Sequence, residues 1–268
     1  MSDLEQSDAP ELALPRGAHS GLPSAGPPHR RPLDRDTIVQ AGLAYIDDAG
    51  MAGLTMRRLG GRLGVEAMAL YRHVPSKEDL LDAIVEAMVD EMRADEQVLD
   101  SPVHGWQDFL QRLAHGVRRV ALAHPRAFPL VASRPPEAPW LRPPLRSLAW
   151  VETFLGGLKA SGFSDESAVG AYRAFTSFLL GHLLLEAAVH GAEISPLDTA
   201  AGSAPHEPEA PESPDAPESP DSAEAALGRY PQVQRLSGML AEDQAAVEFE
   251  ESLENLLDRI CLMAAEDT

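Results

Sequence analysis

Apolar side chains recur at a spacing of three and four residues along most of this chain, whereas no segment shows the alternation that is typical of a half-buried strand. The first apolar stripe predicts a helix that Asp34 or Asp36 can cap at its N-terminus and that can end at Gly50. Later stripes predict helices near residues 104–124, 126–132, 142–161, 165–192 and 242–265. The pattern therefore predicts an all-α protein.

Two short amphipathic segments follow the first stripe. Thr55 can cap a helix over 56–63, and Gly64 can supply the left-handed conformation of a sharp turn. The paired glycines inside this helix are expected to reflect close packing of a neighbouring element. A third short helix is expected over about 66–72. Three helices joined in this way are typical of a helix-turn-helix unit.

The segment PSKEDLL then begins a longer helix. Ser76 is its expected N-cap, with Asp79 at the third helical position as a carboxylate variant of the capping box. Apolar residues continue on one side of this helix to about Met92. We expect the helix to lead from the helix-turn-helix unit into the rest of the protein.

Charge is distributed unevenly along the chain. The 268 residues carry a formal net charge of -20, yet residues 30–77 contain eight Lys or Arg against five Asp or Glu. A basic face on an acidic protein can still bind a polyanion, because the local field decides the interaction. The segment with the helix-turn-helix pattern is therefore the expected contact surface for nucleic acid.

Two segments have compositions that do not form a packed core. Residues 1–29 contain five prolines and no periodic apolar pattern, and residues 196–224 are rich in proline and acids but contain no Lys or Arg. We expect both to be disordered, as an N-terminal arm and an acidic loop. The remaining chain is expected to form a helix-turn-helix domain over 30–77 and a helical domain over 78–268, which includes the loop.

Cysteine content and hydropathy limit the cellular compartment. Cys261 is the single cysteine, so no internal disulfide can form and a reducing compartment is expected. The N-terminus lacks the pattern of a secretory signal, and the apolar run over 178–189 is too short to span a bilayer. These observations predict a soluble cytoplasmic protein without a membrane partner.

Motifs of catalysis and cofactor binding are missing from the sequence. It has no phosphate-binding loop, no nucleophile elbow and no clustered acid–base set, so we expect neither an enzymatic activity nor a cofactor. His182, Glu186 and His190 recur every four residues, which would place them on one helix face. Because no further ligand lies nearby in sequence, we expect no metal site there.

The run LTMRRLGGRLGVEAMALYRHVPSKEDLLDAI resembles the DNA-binding region of the TetR family of transcriptional regulators. The runs WQDFL, SRP and FEESLENLLDRI further resemble the tetracycline-repressor branch of that family. The resemblance covers about 33–193 and 229–263. It implies an all-helical homodimer that pairs through its last long helices, with a C-terminal domain for ligand binding and dimerisation. It also implies a repressor of double-stranded operator DNA that a small-molecule effector releases.

Cationic and polar side chains of the helix-turn-helix unit are the expected DNA contacts. Arg57 can reach a base edge or a phosphate, whereas Tyr71 and Lys77 can donate to phosphates. The reading positions of the third helix lack hydrogen-bonding side chains, so we expect specificity to depend on Arg57, on thymine methyl groups and on DNA shape. The candidate set is Thr55, Arg57, Arg58, Ala67, Met68, Ala69, Tyr71, Arg72, His73 and Lys77.

The resemblance implies an effector site in the C-terminal domain. Arg134 lies in the SRP run, which lines the drug site in the tetracycline repressor, and Leu113 and Val117 stand approximately where that repressor has its Asn and Phe contacts. His182 and Glu186 complete the candidate set. The metal-coordinating histidine of the repressor falls on the apolar stretch FPLVAS, so we expect a larger, more apolar ligand than tetracycline with magnesium.

One alternative from another class stays open at this point. The protein can instead be an interaction protein that keeps the DNA-binding head but acts through the acidic loop over 196–224 as a partner-binding tail. A mobility-shift test on upstream DNA separates the two hypotheses.

Overall fold

The computed structural model describes residues 33–94, 102–135, 137–142, 147–192 and 228–265. The predicted arm over 1–29 and the predicted acidic loop over 196–224 lie outside these residues. Within the described part the chain forms helices and no strand, which confirms the predicted all-α class. The helices are α1 Arg35–Ala49, α2 Met56–Leu63, α3 Ala67–Leu70, α4 Lys77–Ala94, α5 Trp106–Ala123, α6 Pro129–Ser133, α7 Leu148–Ala160, α8 Asp165–Val189, α9 Pro231–Leu240 and α10 Ala245–Ala265.

Helices α1 to α3 form the helix-turn-helix unit, here called the head, and their ends follow local sequence signals. Asp34 caps α1 by accepting a hydrogen bond of 2.8 Å from the backbone N–H of Thr37. Thr55 caps α2 in the same way by accepting from the N–H of Arg58 at 3.2 Å. Gly64 ends α2 in the left-handed conformation with φ 70°. The predicted caps and turn are confirmed.

Helix α2 and the turn before α3 approach each other through backbone atoms. A Cβ on Gly60 would lie 2.8 Å from the carbonyl oxygen of Val65 and 3.2 Å from the nitrogen of Ala67. A Cβ on Gly61 would meet nothing within 4 Å. The expectation of close packing is therefore confirmed for Gly60 and wrong for Gly61.

Helix α4 connects the head to the remaining helices. The Ser76 hydroxyl accepts a hydrogen bond from the N–H of Asp79 at 3.0 Å, so the predicted N-cap is confirmed. The Asp79 carboxylate accepts from the Ser76 hydroxyl at 2.6 Å and not from the Ser76 backbone N–H that a capping box uses. Leu80 and Ile84 are fully buried and contact α1 beside Gly42. The first turns of α4 therefore pack against the head, and the domain boundary expected after Lys77 stays a prediction.

Helices α5, α7, α8 and α10 pack around aromatic side chains and form the body. Phe109, Phe154 and Phe175 are fully buried, and the ring centroids of the last two are 5.2 Å apart. Helix α5 approaches α7 so closely that a Cβ on Gly157 would lie 2.5 Å from the Phe109 ring. Helix α10 adds the fully buried Phe249. The last helix therefore packs against the interior of the body.

Helix α8 is long and apolar enough, by length and composition, to cross a membrane. Its residues Phe175, Leu179 and Leu183 are buried in the body beside α7 and α10. Core helices can have the same length and hydropathy, and α8 packs as a core helix.

Helix α9 was not predicted from the sequence, and none of its residues is buried. Val233 and Met239 of this helix are exposed, as are Leu185 of α8 and Leu262 of α10. Exposed apolar side chains on α8, α9 and α10 are suited to contact with a second copy of the chain.

Candidate nucleic-acid interface and ligand cavity

The head presents three cations without a partner in the described part of the chain. Arg57 is the second residue of α2, Arg72 follows α3, and Lys77 is the first residue of α4. Arg57 and Arg72 are exposed, and no hydrogen bond or ion pair within the described residues holds any of the three. Their donor groups are therefore available to phosphate oxygens.

Two other arginines of α2 stabilise the head itself. Arg58 donates to the carbonyl oxygen of Gly53 at 3.0 Å. Arg62 pairs with Asp48 at 2.6 Å, and its guanidinium lies 5.9 Å from the ring centroid of Tyr45. Because a guanidinium has five N–H donors and Arg58 is exposed, the contact with Gly53 leaves Arg58 able to reach a phosphate as well.

The exposed surface of α3 is apolar. The side chain of Met68 is 69% exposed, whereas Ala67 and Ala69 are half-buried and Leu70 fills the core of the head. Such side chains can contact a thymine methyl group but cannot form hydrogen bonds with base edges. Met68 is therefore the most prominent apolar group that α3 can offer to a groove.

The remaining polar candidates stand beside α2 and α3. Tyr71 and His73 are exposed. Thr55 is exposed too and uses its hydroxyl oxygen as the cap acceptor of α2, which leaves the hydroxyl proton free to be donated. All three side chains can donate to phosphate oxygens.

A histidine between two carboxylates joins the body to the head and to α4. His124, directly after α5, places Nδ1 2.7 Å from Asp47 of α1 and Nε2 3.1 Å from Glu91 of α4. The hydrogen bond with Asp47 raises the pKa of His124 against the opposing effect of burial, and Glu91 adds to the rise. Arg126 donates at 2.8 Å to the backbone oxygen of Asp48 near the end of α1.

Arg134 provides a second link between the body and α4. Its side chain is buried, and its Nε donates to the carboxylate of Asp82 at 2.7 Å. Its Nη1 pairs with Glu78 in the first turn of α4. The resemblance implied a ligand contact for Arg134, but the structure directs this guanidinium toward the helix that enters the head.

An apolar cavity of about 70 Å³ lies between α4 and the helices of the body. Twelve of its fourteen lining residues are aliphatic or aromatic, and none is charged. Ser147 and Thr176 supply the hydroxyl groups. Drug-sized pockets measure roughly 300–1,000 Å³, so this cavity is smaller than a typical drug site. The expectation of a ligand larger than tetracycline with magnesium stays a prediction. Representative lining residues are Met88, Met92, Val117, Phe128, Trp150 and Phe175.

The structure brings one of the five predicted ligand-binding residues, Val117, to the wall of this cavity. Leu113 is buried elsewhere in the core of the body. Glu186 accepts two hydrogen bonds, of 2.5 and 3.1 Å, from Arg118, and His182 packs in an aromatic cluster of α8 and α10. With Arg134 bound to α4, these four residues lie outside the cavity lining. Among the described residues, no group of three His, Cys, Asp or Glu side chains could hold a metal ion.

Sequence reasoning missed His124 and Thr176. Asp47, the partner of His124, lies 77 residues earlier in the chain, so no local sequence pattern indicates this pair. Thr176 interrupts the apolar stripe of α8 with a single hydroxyl. A lone polar residue on a buried helix face was the one available signal for the cavity.

Family models match both parts of the chain. The model of bacterial regulatory proteins of the tetR family matches residues 38–84, which span α1 to the middle of α4. The model of the tetracyclin repressor-like C-terminal domain matches residues 100–263, which is more than half of the chain.

Curated relatives are similar over part of their length. An HTH-type transcriptional regulator of Saccharopolyspora erythraea is 33% identical over 154 residues, which are 58% of this chain and 61% of that protein. The tetracycline repressor protein class G of Vibrio anguillarum is 33% identical over 164 residues, which are 61% of this chain and 74% of that protein. The first of these matches thus leaves more than a third of the relative uncovered.

Solved structures show the same arrangement of head and body. A possible TetR family transcriptional regulator from Streptomyces coelicolor A3(2) superposes with a TM-score of 0.62 at 31% identity, over 85% of this chain and 99% of that one. TetR from Acinetobacter baumannii AYE superposes with a TM-score of 0.61 at 26% identity, over 87% of this chain and 98% of that one.

Proposed function

The chain belongs to the TetR family of bacterial regulatory proteins, and on this basis we propose that it is a repressor that binds operator DNA through its head and leaves the DNA when a small molecule fills its cavity. One observation carries the proposal. Helix α4 begins at Lys77, which has no partner among the described residues, and supplies Met88 and Met92 to the cavity wall. A single helix therefore connects the cationic head to the apolar cavity.

The head binds DNA through phosphate contacts and a small number of base contacts. Lys77 and Arg72 neutralise phosphates, since both are cations without a partner among the described residues. Arg57 reads a base edge, and Met68 contacts thymine methyl groups. The net charge of -20 favours binding through the head, because the acidic remainder of the chain repels DNA.

Two copies of the chain act together on the operator. The exposed apolar residues Leu185 and Val189 of α8 and Leu262 of α10 supply a surface that a second copy would cover. A two-fold dimer presents its two heads to half-sites one helical turn of DNA apart. The spacing between the heads then decides whether both can bind.

Effector binding changes that spacing through α4 and the segment that follows α5. Phe128 lines the cavity, and in the sequence it stands between His124 and Arg134. His124 binds Asp47 of the head, and Arg134 binds Asp82 of α4. A ligand that displaces this wall changes both links together. Release of DNA requires that the ligand bind the arrangement unable to hold DNA more tightly than the arrangement that holds it.

A mobility-shift assay with DNA from upstream of the protein's own gene tests the proposal. The full-length protein should shift this DNA and leave coding-region DNA of equal length unbound at the same salt concentration. The double variant Arg57→Ala, Lys77→Ala should lose the shift. Arg112→Ala is the matched control, because Arg112 pairs with Asp108 on the surface of the body. Equal binding of both DNA fragments by all three proteins would contradict the proposal.

A further inference from the structure

Thr176 carries a buried hydroxyl that has no hydrogen-bond partner among the described residues. Thr176 is 4% exposed and lines the apolar cavity. The Oγ1 atom of Thr176 forms no hydrogen bond within the described residues. Threonines in helices often donate to the carbonyl of the preceding turn, and this one does not. Buried polar groups are almost always paired, so an unpaired hydroxyl in a cavity wall points to a ligand that supplies the partner.

The two other polar groups near this hydroxyl have different roles. Ser147 also lines the cavity, but its Oγ caps α7 by accepting from the N–H of Trp150 at 3.2 Å. The phenol of Tyr172 lies near enough to Thr176 to reduce the rise that burial causes in the pKa of Tyr172. Thr176 Oγ1 nevertheless forms no hydrogen bond among the described residues, so its approach to the phenol is longer or less well aligned than a hydrogen bond.

We propose that the cavity takes an uncharged, compact and mainly apolar molecule with one acceptor oxygen, and that Thr176 Oγ1 donates its proton to that oxygen. This inference rests on the proposed function, in which the cavity is the effector site. A ketone or a lactone has the required chemistry, because each combines an apolar frame with a carbonyl acceptor.

The lining excludes a charged ligand. None of the fourteen lining residues is charged, so a carboxylate, an ammonium group or a metal chelate would lose its hydration without gaining a counter-charge. The lining also sets the size. About 70 Å³ suits a small ring, and the unbranched side chains of Met88 and Met92 can change rotamer to admit a somewhat larger frame.

Three probes of similar size test the ligand chemistry: cyclopentanone, the isosteric alkene methylenecyclopentane, and cyclobutanecarboxylate. Ligand-detected NMR titrations on the full-length protein should show that the ketone binds roughly three- to tenfold more tightly than the alkene, which is the net value of one hydrogen bond. The carboxylate should not bind. No binding of the ketone, or tighter binding of the carboxylate, would overturn the inference.

Two variants assign the difference to Thr176. Thr176→Val keeps the shape and removes the hydroxyl, so the ketone and the alkene should bind it equally. Thr176→Ser keeps the hydroxyl and should preserve the preference for the ketone. Equal preference for the ketone in the wild type and in Thr176→Val would overturn the assignment.

The melting temperature of the free protein supplies a readout that does not need a ligand. Thr176→Val should melt at or above the wild-type temperature, because the change removes an unpaired buried hydroxyl. A clear fall would show that the hydroxyl has a structural partner and would count against the inference.

Failure of the inference can be distinguished from failure of the proposed function. If a charged compound released operator DNA by binding in the cavity, the proposed function would stand and the ligand class would be wrong. If the ketone bound in a Thr176-dependent way but the protein bound no operator, the ligand class would stand and the proposed function would be wrong.

Discussion

The Nδ1 of His124 lies 2.7 Å from the carboxylate of Asp47. The residue that follows α5 is therefore hydrogen-bonded to α1, the first helix of the head. The other ring nitrogen lies 3.1 Å from Glu91 of α4. A charged imidazole has two N–H donors and can serve both carboxylates, whereas a neutral imidazole has one. The junction of head, α4 and body is therefore complete when His124 is protonated.

We expect the contribution of His124 to stability to depend on pH. Because the hydrogen bond with Asp47 raises the pKa of His124 above its ordinary value near 6.5, this contribution is fully present below 6.5. It is lost as pH rises through the higher pKa of the folded state. The difference in unfolding free energy between the wild type and His124→Gln should accordingly be larger at pH 6 than at pH 8.5, as measured by urea denaturation.

His115 provides the control for this experiment. It lies 3.5 Å from Glu250 and is more exposed than His124. His115→Gln removes an imidazole of α5 that pairs with Glu250 of α10 and not with α1 or α4, so it controls for the loss of a histidine side chain from the body. A pH profile of His124→Gln that runs parallel to the wild-type profile would show that His124 does not link the junction to protonation.

Two neighbouring glycines of α2 should respond in opposite directions to the same substitution. Gly60→Ala places a methyl group against the backbone at Val65, which has little freedom to move, so we expect a loss of about 1–3 kcal/mol in unfolding free energy. Gly61→Ala meets open space on an exposed helix position and should gain about 0.5–1 kcal/mol. Thermal denaturation of the two variants checks this, and equal effects would mean that α2 and the turn do not meet at Gly60.

Arg134 should stabilise the start of α4. Arg134→Met removes its pairs with Glu78 and Asp82, and we expect a loss of about 1–3 kcal/mol, reduced by the partial exposure of both acids. The same change should weaken operator binding, since α4 begins at Lys77, the proposed phosphate contact. Arg134→Lys should recover part of both losses.

The surface pair of Arg112 with Asp108 serves as the comparison, and Arg112→Ala should cost less than about 1 kcal/mol. Unfolding free energy and operator affinity should be measured on the same preparations. Unchanged operator affinity in a destabilised Arg134→Met protein would show that this link supports the fold without positioning α4 on DNA.

Arg57 and Lys77 should affect DNA binding in different ways. Lys77→Ala removes a phosphate contact, so affinity should fall by a similar factor for all sequences and the salt dependence should decrease by about one unit of slope. Arg57→Ala should cost about 1–3 kcal/mol and relax specificity at one position of the half-site. Fluorescence anisotropy titrations on single-position operator variants separate the two effects. Sequence-independent losses from both substitutions would remove Arg57 from base recognition.

Features with local causes were predicted well from the sequence. The caps at Asp34, Thr55 and Ser76 and the turn at Gly64 depend on residues three or four positions apart, which the sequence displays directly. Helix α9 also has a local signal, because Pro231 stands at its first position, but its short apolar pattern beside a proline-rich segment was overlooked.

Features that depend on tertiary contacts were not predictable in this way. The place of Arg134 in a short run predicts a ligand contact, but it does not show the pairs with Glu78 and Asp82, which lie 56 and 52 residues earlier. Glu186 similarly meets Arg118 across 68 residues. A periodic pattern shows which face of a helix is buried, but it does not show which charged side chains that face will meet.

Selection of binding sites from random double-stranded DNA by the full-length protein tests the central claim most directly. We predict enrichment of an inverted repeat whose half-site centres lie about 10 base pairs apart, because two heads related by two-fold symmetry read one turn of DNA. The enriched sequence should bind at least about a thousandfold more tightly than a scrambled one, and the double variant Arg57→Ala, Lys77→Ala should lose this preference while Arg112→Ala keeps it. Failure to enrich any sequence, or binding that ignores both the sequence and the head substitutions, would contradict the account.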